Sequence, residues 1–214
     1  MEKKKMKLWQ KIIFIVLAIA IIVPTVLVIV NTSVINKIIA NQKENVNMQN
    51  YSYTVQSNST AGMVTKVYYK DGIKMYVVQN NENNIIIWRN SNTKEMISLT
   101  PNTLKAGVEK YEGDDPNTIP YLLDEYASKE LKLFSIITSE KVNGEECYKV
   151  SSLGRKLWFS KSTGMIVKEM NGTVVKDGKE MGYVSEFKDW KFNQLTDIDV
   201  TRPNLIGYEV TNNQ

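Results

Sequence analysis

The sequence predicts an α+β protein: an N-terminal transmembrane helix, then an antiparallel sheet with helices packed on one face. Three observations carry this. Residues 12–30 are nineteen consecutive uncharged residues, nearly all Ile, Val, Leu or Ala. From Tyr51 onward apolar residues recur with a period of two, as half-buried strands require. The strands come in two groups, with helical patterns before and between them.

At 1.5 Å per residue, residues 12–30 make about 28 Å of helix, close to the roughly 30 Å hydrocarbon core of a bilayer. Trp9 stands at headgroup depth as an interface anchor, and Pro24 is tolerable as a kink. Residues 1–11 hold Lys3, Lys4, Lys5, Lys7 and Lys11 against Glu2, so the whole net charge of +4 sits in this tail. The positive-inside rule puts the tail in the cytoplasm and residues 31–214 outside. A cleaved signal peptide has a shorter apolar region, about 7–15 residues, followed by a small-x-small site. No A-x-A follows this run, so a single-pass signal anchor in the cell membrane is expected. An outside domain with one cysteine and no disulfide suits a bacterial cell envelope.

Residues 31–50 carry Val34, Ile35, Ile38 and Ile39 at helical spacing and read as a helical stalk that is also the first packing element. Residues 51–214 form one extracytoplasmic domain. Its first strands alternate through Tyr51, Tyr53 and Val55, then Met63 to Tyr69, turn at Asp71-Gly72, and resume through Ile73, Met75 and Val77. Ile85 to Trp88 reads as a strand buried on both faces, and Lys94 to Leu99 completes a five-strand meander ended by Pro101. Residues 101–120, punctuated by Gly107, Gly113, Pro116 and Pro120, read as a loop. Tyr121 to Glu130 reads as a helix capped by Thr118, with Leu122, Leu123, Tyr126 and Ala127 as its buried stripe. Strand resumes from about Leu133, turns at Asn143-Gly144 and returns through Cys147, Tyr148 and Val150. Lys156 to Ser160 turns at Ser162-Thr163-Gly164 into Met165 to Met170, and a long strand runs from about Glu180 to Asn193. Ten or eleven strands are expected.

Composition excludes much chemistry. There is no histidine, which removes histidine-dependent nucleophiles and imidazole-bound metals. One cysteine, Cys147, rules out a Cys₄ zinc site or an iron–sulfur cluster, and its alternating strand makes it a structural thiol. Residues 12–214 have no net charge to offer phosphates, so no nucleic-acid partner is expected. Ser91 to Lys94 and Ser185 to Lys188 match S-x-x-K only by chance, being on a turn and a strand rather than a helix. Glu112, Asp114 and Asp115, like Asp197 and Asp199, match no calcium loop. No cofactor, metal or catalytic set is expected.

The second half reads Val142-Asn-Gly-Glu-Glu-Cys-Tyr-Lys-Val150, then Leu157-Trp-Phe-Ser-Lys-Ser-Thr-Gly-Met-Ile-Val-Lys168, then Phe187-x-Asp-Trp-Lys-Phe-Asn193. These phrases, with the Tyr-rich meander before them, resemble the LolA/LolB-like superfamily, the lipoprotein-carrier fold, over about residues 34–210. The resemblance implies an antiparallel half-barrel with helices on its concave face and an apolar cavity between. It implies no catalytic residues, and a tether is at odds with a shuttle. The expected function is therefore a membrane-anchored, non-enzymatic binding protein that holds a lipid or lipoprotein acyl chain. About 12 methylenes at roughly 0.8 kcal/mol each give about 10 kcal/mol before ordering costs. Tyr53, Val67, Tyr69, Met75, Val77, Trp88, Met96, Leu157 and Phe159 are the cavity candidates. The alternatives are an accessory module that docks a cell-wall, sporulation or germination protein, and a hydrolase working through carboxylates alone.

Overall fold

The computed structural model describes residues 8–58, 63–80, 84–111, 119–123, 125–176 and 179–213. It opens with one helix, α1 (Leu8–Asn45), which runs through Pro24 without a break. The Thr25 hydroxyl donates to the Ile21 carbonyl at 2.8 Å, a side-chain bond that stays within the helix. Along residues 12–30 the large apolar side chains are exposed. From Asn31 the character changes: Asn31, Ile35, Ile38 and Gln42 are buried, and their spacing of four, three and four puts them on one face. The expected span and stalk are thus one rod, apolar all round in its first half and one-sided in its second.

The strands form a single sheet: β1 (Asn50–Ser57), β2 (Val64–Lys70), β3 (Ile73–Gln79), β4 (Asn84–Asn90), β5 (Glu95–Thr100), β6 (Lys105–Lys110), β7 (Ile136–Val142), β8 (Glu145–Ser152), β9 (Arg155–Ser160), β10 (Ile166–Lys176), β11 (Lys179–Phe192) and β12 (Glu209–Asn213). Their order is β12-β6-β5-β4-β3-β2-β1-β11-β10-β9-β8-β7, and every pair is antiparallel except β12 with β6. Two meanders meet where β1 pairs with β11. The architecture is α+β, with a large open sheet of twelve strands.

Three expectations shift. Residues 105–110, assigned to a loop, are β6: Pro101–Thr103 make one 3₁₀ turn and Leu104 takes a left-handed φ of 52°. Gly107, read as a loop signal, instead faces Ser98, whose hydroxyl would lie 2.8 Å from an added Cβ. The second helix, α2 (Glu125–Phe134), starts four residues later than expected and covers Leu133. Tyr121 has φ 58°, which no helix accommodates, so Leu122 and Leu123 reach the core from an irregular segment. Thr118, Glu112, Asp114 and Asp115 lie outside the described residues, as do the side chains of Tyr126 and Ala127.

Register separates the two faces of the sheet. One row runs Tyr53, Val67, Tyr76, Ile87, and the row beside it Tyr51, Tyr69, Lys74, Arg89, Met96. The Tyr51, Tyr53, Val67 and Tyr69 side chains pack with Ile35 and Ile38 of α1 and with Phe159, Ile166 and Phe187 in the main core. The opposite face carries Met75, Trp88, Ile97 and Val108 in register. There Trp88, Ile97, Leu99 and Ala106 are covered by Leu205 and Tyr208 from the C-terminal segment. Trp88 Nε1 donates to the Val200 carbonyl at 2.9 Å, and Arg202 grips Glu95 with 2.6 Å between Nη2 and Oε1. That grip holds the Glu95 carboxyl below its ordinary range.

α1 approaches the sheet closely at the β9–β10 turn. A Cβ on Gly164 would stand 2.6 Å from the Ile38 carbonyl and 2.9 Å from the Gln42 nitrogen, and Gly164 has φ 74°. Only glycine meets both demands. Gly164→Ala is expected to cost about 2 kcal/mol or more through strain and loss of helix seating. Urea unfolding of the full chain in detergent, followed by circular dichroism, checks this; an unchanged midpoint would contradict it.

Candidate functional site

The site is built from groups that α1 holds in place. Gln42, buried, donates from Nε2 to the Tyr121 carbonyl at 3.1 Å and to the Gly164 carbonyl at 3.0 Å, while its Oε1 accepts from the Leu123 N–H at 3.0 Å. One amide thereby fixes residues 121–123 against the β9–β10 turn. Eleven residues earlier, Asn31 donates from Nδ2 to the Lys132 carbonyl at 3.2 Å and the Ser135 carbonyl at 2.7 Å. These are carbonyls at the end of α2, where the helix itself supplies no donor.

Between these two ties lies an apolar groove of about 310 Å³, at the low end of the range for small-molecule sites. Leu122, Leu123, Leu131, Val150, Leu153 and Leu157 line it. It continues into two neighbours. A space of about 430 Å³ beneath Leu133 and Phe134 shares Glu130 and Leu153 with it. A third, of about 290 Å³, shares Leu122 and Leu123 and runs along Ile39, Val46 and Met48.

The polar groups of the groove are few. Arg155 pairs with Glu169 at 3.1 Å, donates to the Tyr121 hydroxyl and stacks its guanidinium 4.8 Å from the Tyr121 ring centre. Burial, with the Glu169 carboxylate nearby, pushes the Tyr121 phenol up to about 12. Tyr121 is therefore a neutral phenol at physiological pH, held on a left-handed backbone that a non-glycine residue adopts only at a cost. The Ser152 hydroxyl, on the groove wall, has no partner among the described residues. The arrangement can enclose an apolar chain and sets the Arg155 guanidinium, the Tyr121 ring and Glu130 on its lining.

The nine residues singled out from the sequence do not form one cavity. Tyr53, Val67, Tyr69, Leu157 and Phe159 are buried side by side in the main core, filled against α1, and of them Leu157 reaches the apolar groove. Met75 and Trp88 sit on the opposite face under the C-terminal segment. Val77 follows Met75 by two residues and shares that face, half-buried. Met96 lies on the α1 side of β5, where its sulfur accepts from Arg89 Nε at 3.1 Å. Alternation finds both apolar faces of a sheet and cannot tell which one a helix fills.

Sequence patterning does not single out the groove residues Tyr121, Leu131, Val150, Leu153 and Arg155. One signal is available: Leu153-Gly154 puts a leucine at a hairpin tip, and it is 82% exposed. Asp197 and Asp199 are structural, since Asp199 caps Thr196 at 2.7 Å and Asp197 pairs with Lys70. Among the described residues no group of three His, Cys, Asp or Glu side chains could hold a metal ion.

No family model and no curated protein matches the sequence. The fold is similar to the crystal structure of an uncharacterized conserved protein from Thermus thermophilus, with TM-score 0.52, 12% identity, and 83% of this chain and 98% of that one covered. At that identity the likeness concerns fold alone.

Cys147 is fully buried on β8, and desolvation, then the nearby Glu145 carboxylate, pushes its thiol up to about 11. It is expected to resist iodoacetamide at pH 8 in the folded chain and to react once urea unfolds it. Mass spectrometry reads both states, and rapid alkylation of folded protein would contradict the assignment.

Proposed function

We propose that the chain is a membrane-anchored, extracytoplasmic, non-enzymatic binding protein that holds the acyl chain of a lipid or lipoprotein in the groove between α2, β8–β9 and residues 121–123. The long apolar helix is compatible with a single-pass anchor. The lysine tail supports an inward N-terminus, with the sheet on the outer side of the cell membrane. In this reading the sheet curls as a half-barrel around α1, as the resemblance to the lipoprotein-carrier fold implies.

The observation that carries the reading is a leucine-lined groove beside the point where α1 leaves its apolar span. Asn31, the first residue after the span, is bonded to the end of the helix that walls the groove. An acyl chain would exchange one apolar surface for another over a short distance, so shape and area suffice. Arg155, paired with Glu169 on the groove lining, would meet the ester or carboxylate end. Ile35, Ile38 and the tyrosines pack together in the main core and would fill the centre of such a half-barrel, which moves the ligand to this edge.

The filled centre and the exposed Leu133, Phe134 and Leu153 side chains also favour a second reading, the accessory module docked by an envelope protein. Photo-crosslinking separates the two. The full chain is reconstituted with phospholipid bearing a diazirine on its acyl chain. Adducts are expected on Leu123, Val150 or Leu157 as well as on residues 12–30. Leu131→Trp, which fills the groove, is expected to lower the groove adducts at least fivefold and leave the span adducts unchanged. Adducts confined to the span would overturn the acyl-chain reading.

A further inference from the structure

We infer that the end of α2 and the β8–β9 turn form a second membrane contact, in which Leu133, Phe134 and Leu153 enter the headgroup region of the leaflet that α1 leaves. Residues 12–30 make about 28 Å of helix and a bilayer core is roughly 30 Å thick, so the span has no length to spare and Asn31 sits at the hydrocarbon edge. Asn31 is hydrogen-bonded to Lys132 and Ser135, which bracket Leu133 and Phe134. No linker intervenes, because α1 continues unbroken into the core at Ile35 and Ile38. The domain therefore has no freedom to lift away, and its attachment alone keeps these residues at the membrane.

Their chemistry fits that place. Phe134 is 65% exposed, Leu133 56% and Leu153 82%, and all three line one open space. In water this would be a costly grouping for a helix end and a hairpin tip. In the interface it is the usual composition of an apolar face that dips below the headgroups. Ile136, 64% exposed, follows on the first residue of β7. Lys132 lies two residues before Phe134, where an ammonium group reaches phosphates, and Lys129 and Glu130 lie a turn further back. The occupant is thus the lipid surface, by continuity with the span. The far end of the same sheet face is the control. Asn41 bonds the Lys161 carbonyl at 2.8 Å, ten residues up the helix, which sets the β9–β10 turn about 15 Å above Asn31.

This inference rests on α1 being an anchor and not on the ligand of the groove. The full chain is reconstituted in vesicles of phosphatidylcholine and phosphatidylglycerol as two variants, Leu153→Cys and Ser162→Cys, each labelled with an environment-sensitive fluorophore; Cys147 is buried and stays unlabelled. Both positions lie on turns, so the label disturbs no core. Lipids carrying a shallow nitroxide are expected to quench the label at residue 153 at least threefold more than that at residue 162, and iodide in the water to do the reverse. Equal iodide quenching at both positions would overturn the contact. So would a residue 153 label shielded from iodide and nitroxide alike, which would mean that protein covers the patch. A chain that fails to float with the vesicles would remove the anchor and this inference with it, leaving the groove's affinity for an acyl chain a separate question answered by the crosslinking above.

Discussion

The structure depends on the seating of one helical face. Asn31, Ile35, Ile38 and Gln42 are the buried residues of α1, and each closes a different gap. The two isoleucines fill the space over β1, β2, β9 and β10. The two amides satisfy backbone carbonyls that no strand or helix reaches, at the end of α2 and in residues 121 and 164. A buried amide left without partners would cost more than its bonds give back, so these side chains position α2 and the 121–123 segment as well as tolerate them. The groove is a by-product of that positioning: its leucines line the space left between elements pinned at two points on one rod.

Much of this is legible in the chain. Period-two alternation locates β1 to β5 and the hairpins at Asp71-Gly72, Asn143-Gly144 and Gly164, because each turn needs a residue that accepts a positive φ. Local pattern fails where tertiary contact decides. β6 holds only Ala106 and Val108 as apolar residues and takes its place because β5 and β12 flank it. The start of α2 is misplaced from sequence because Tyr121 is bent by Gln42 and Arg155, neither near it in the chain. The fold class follows from hydropathy and turn chemistry, whereas the site follows from amides more than seventy residues distant from what they hold.

The same logic explains why the singled-out site residues scatter. Tyr53, Tyr69, Trp88 and Met75 are apolar strand residues of equal appearance, yet the first two face α1 and the last two face the C-terminal segment. A sheet covered on both sides has two cores. The groove instead draws on a helix, a hairpin tip and an irregular segment, positions where leucine has no periodic reason to be. Exposed leucine at a turn is the better signal, since nothing in β geometry asks for it.

The continuity of α1 reaches beyond the groove. The helix crosses from its apolar half to its packed half between Val30 and Asn31 with no hinge. With α1 as the proposed anchor, a span that leans to match a thinner bilayer would lean the twelve-stranded sheet by the same angle. The pose of the domain would then be a gauge of bilayer thickness, turning a property of the lipid into the orientation of a protein surface.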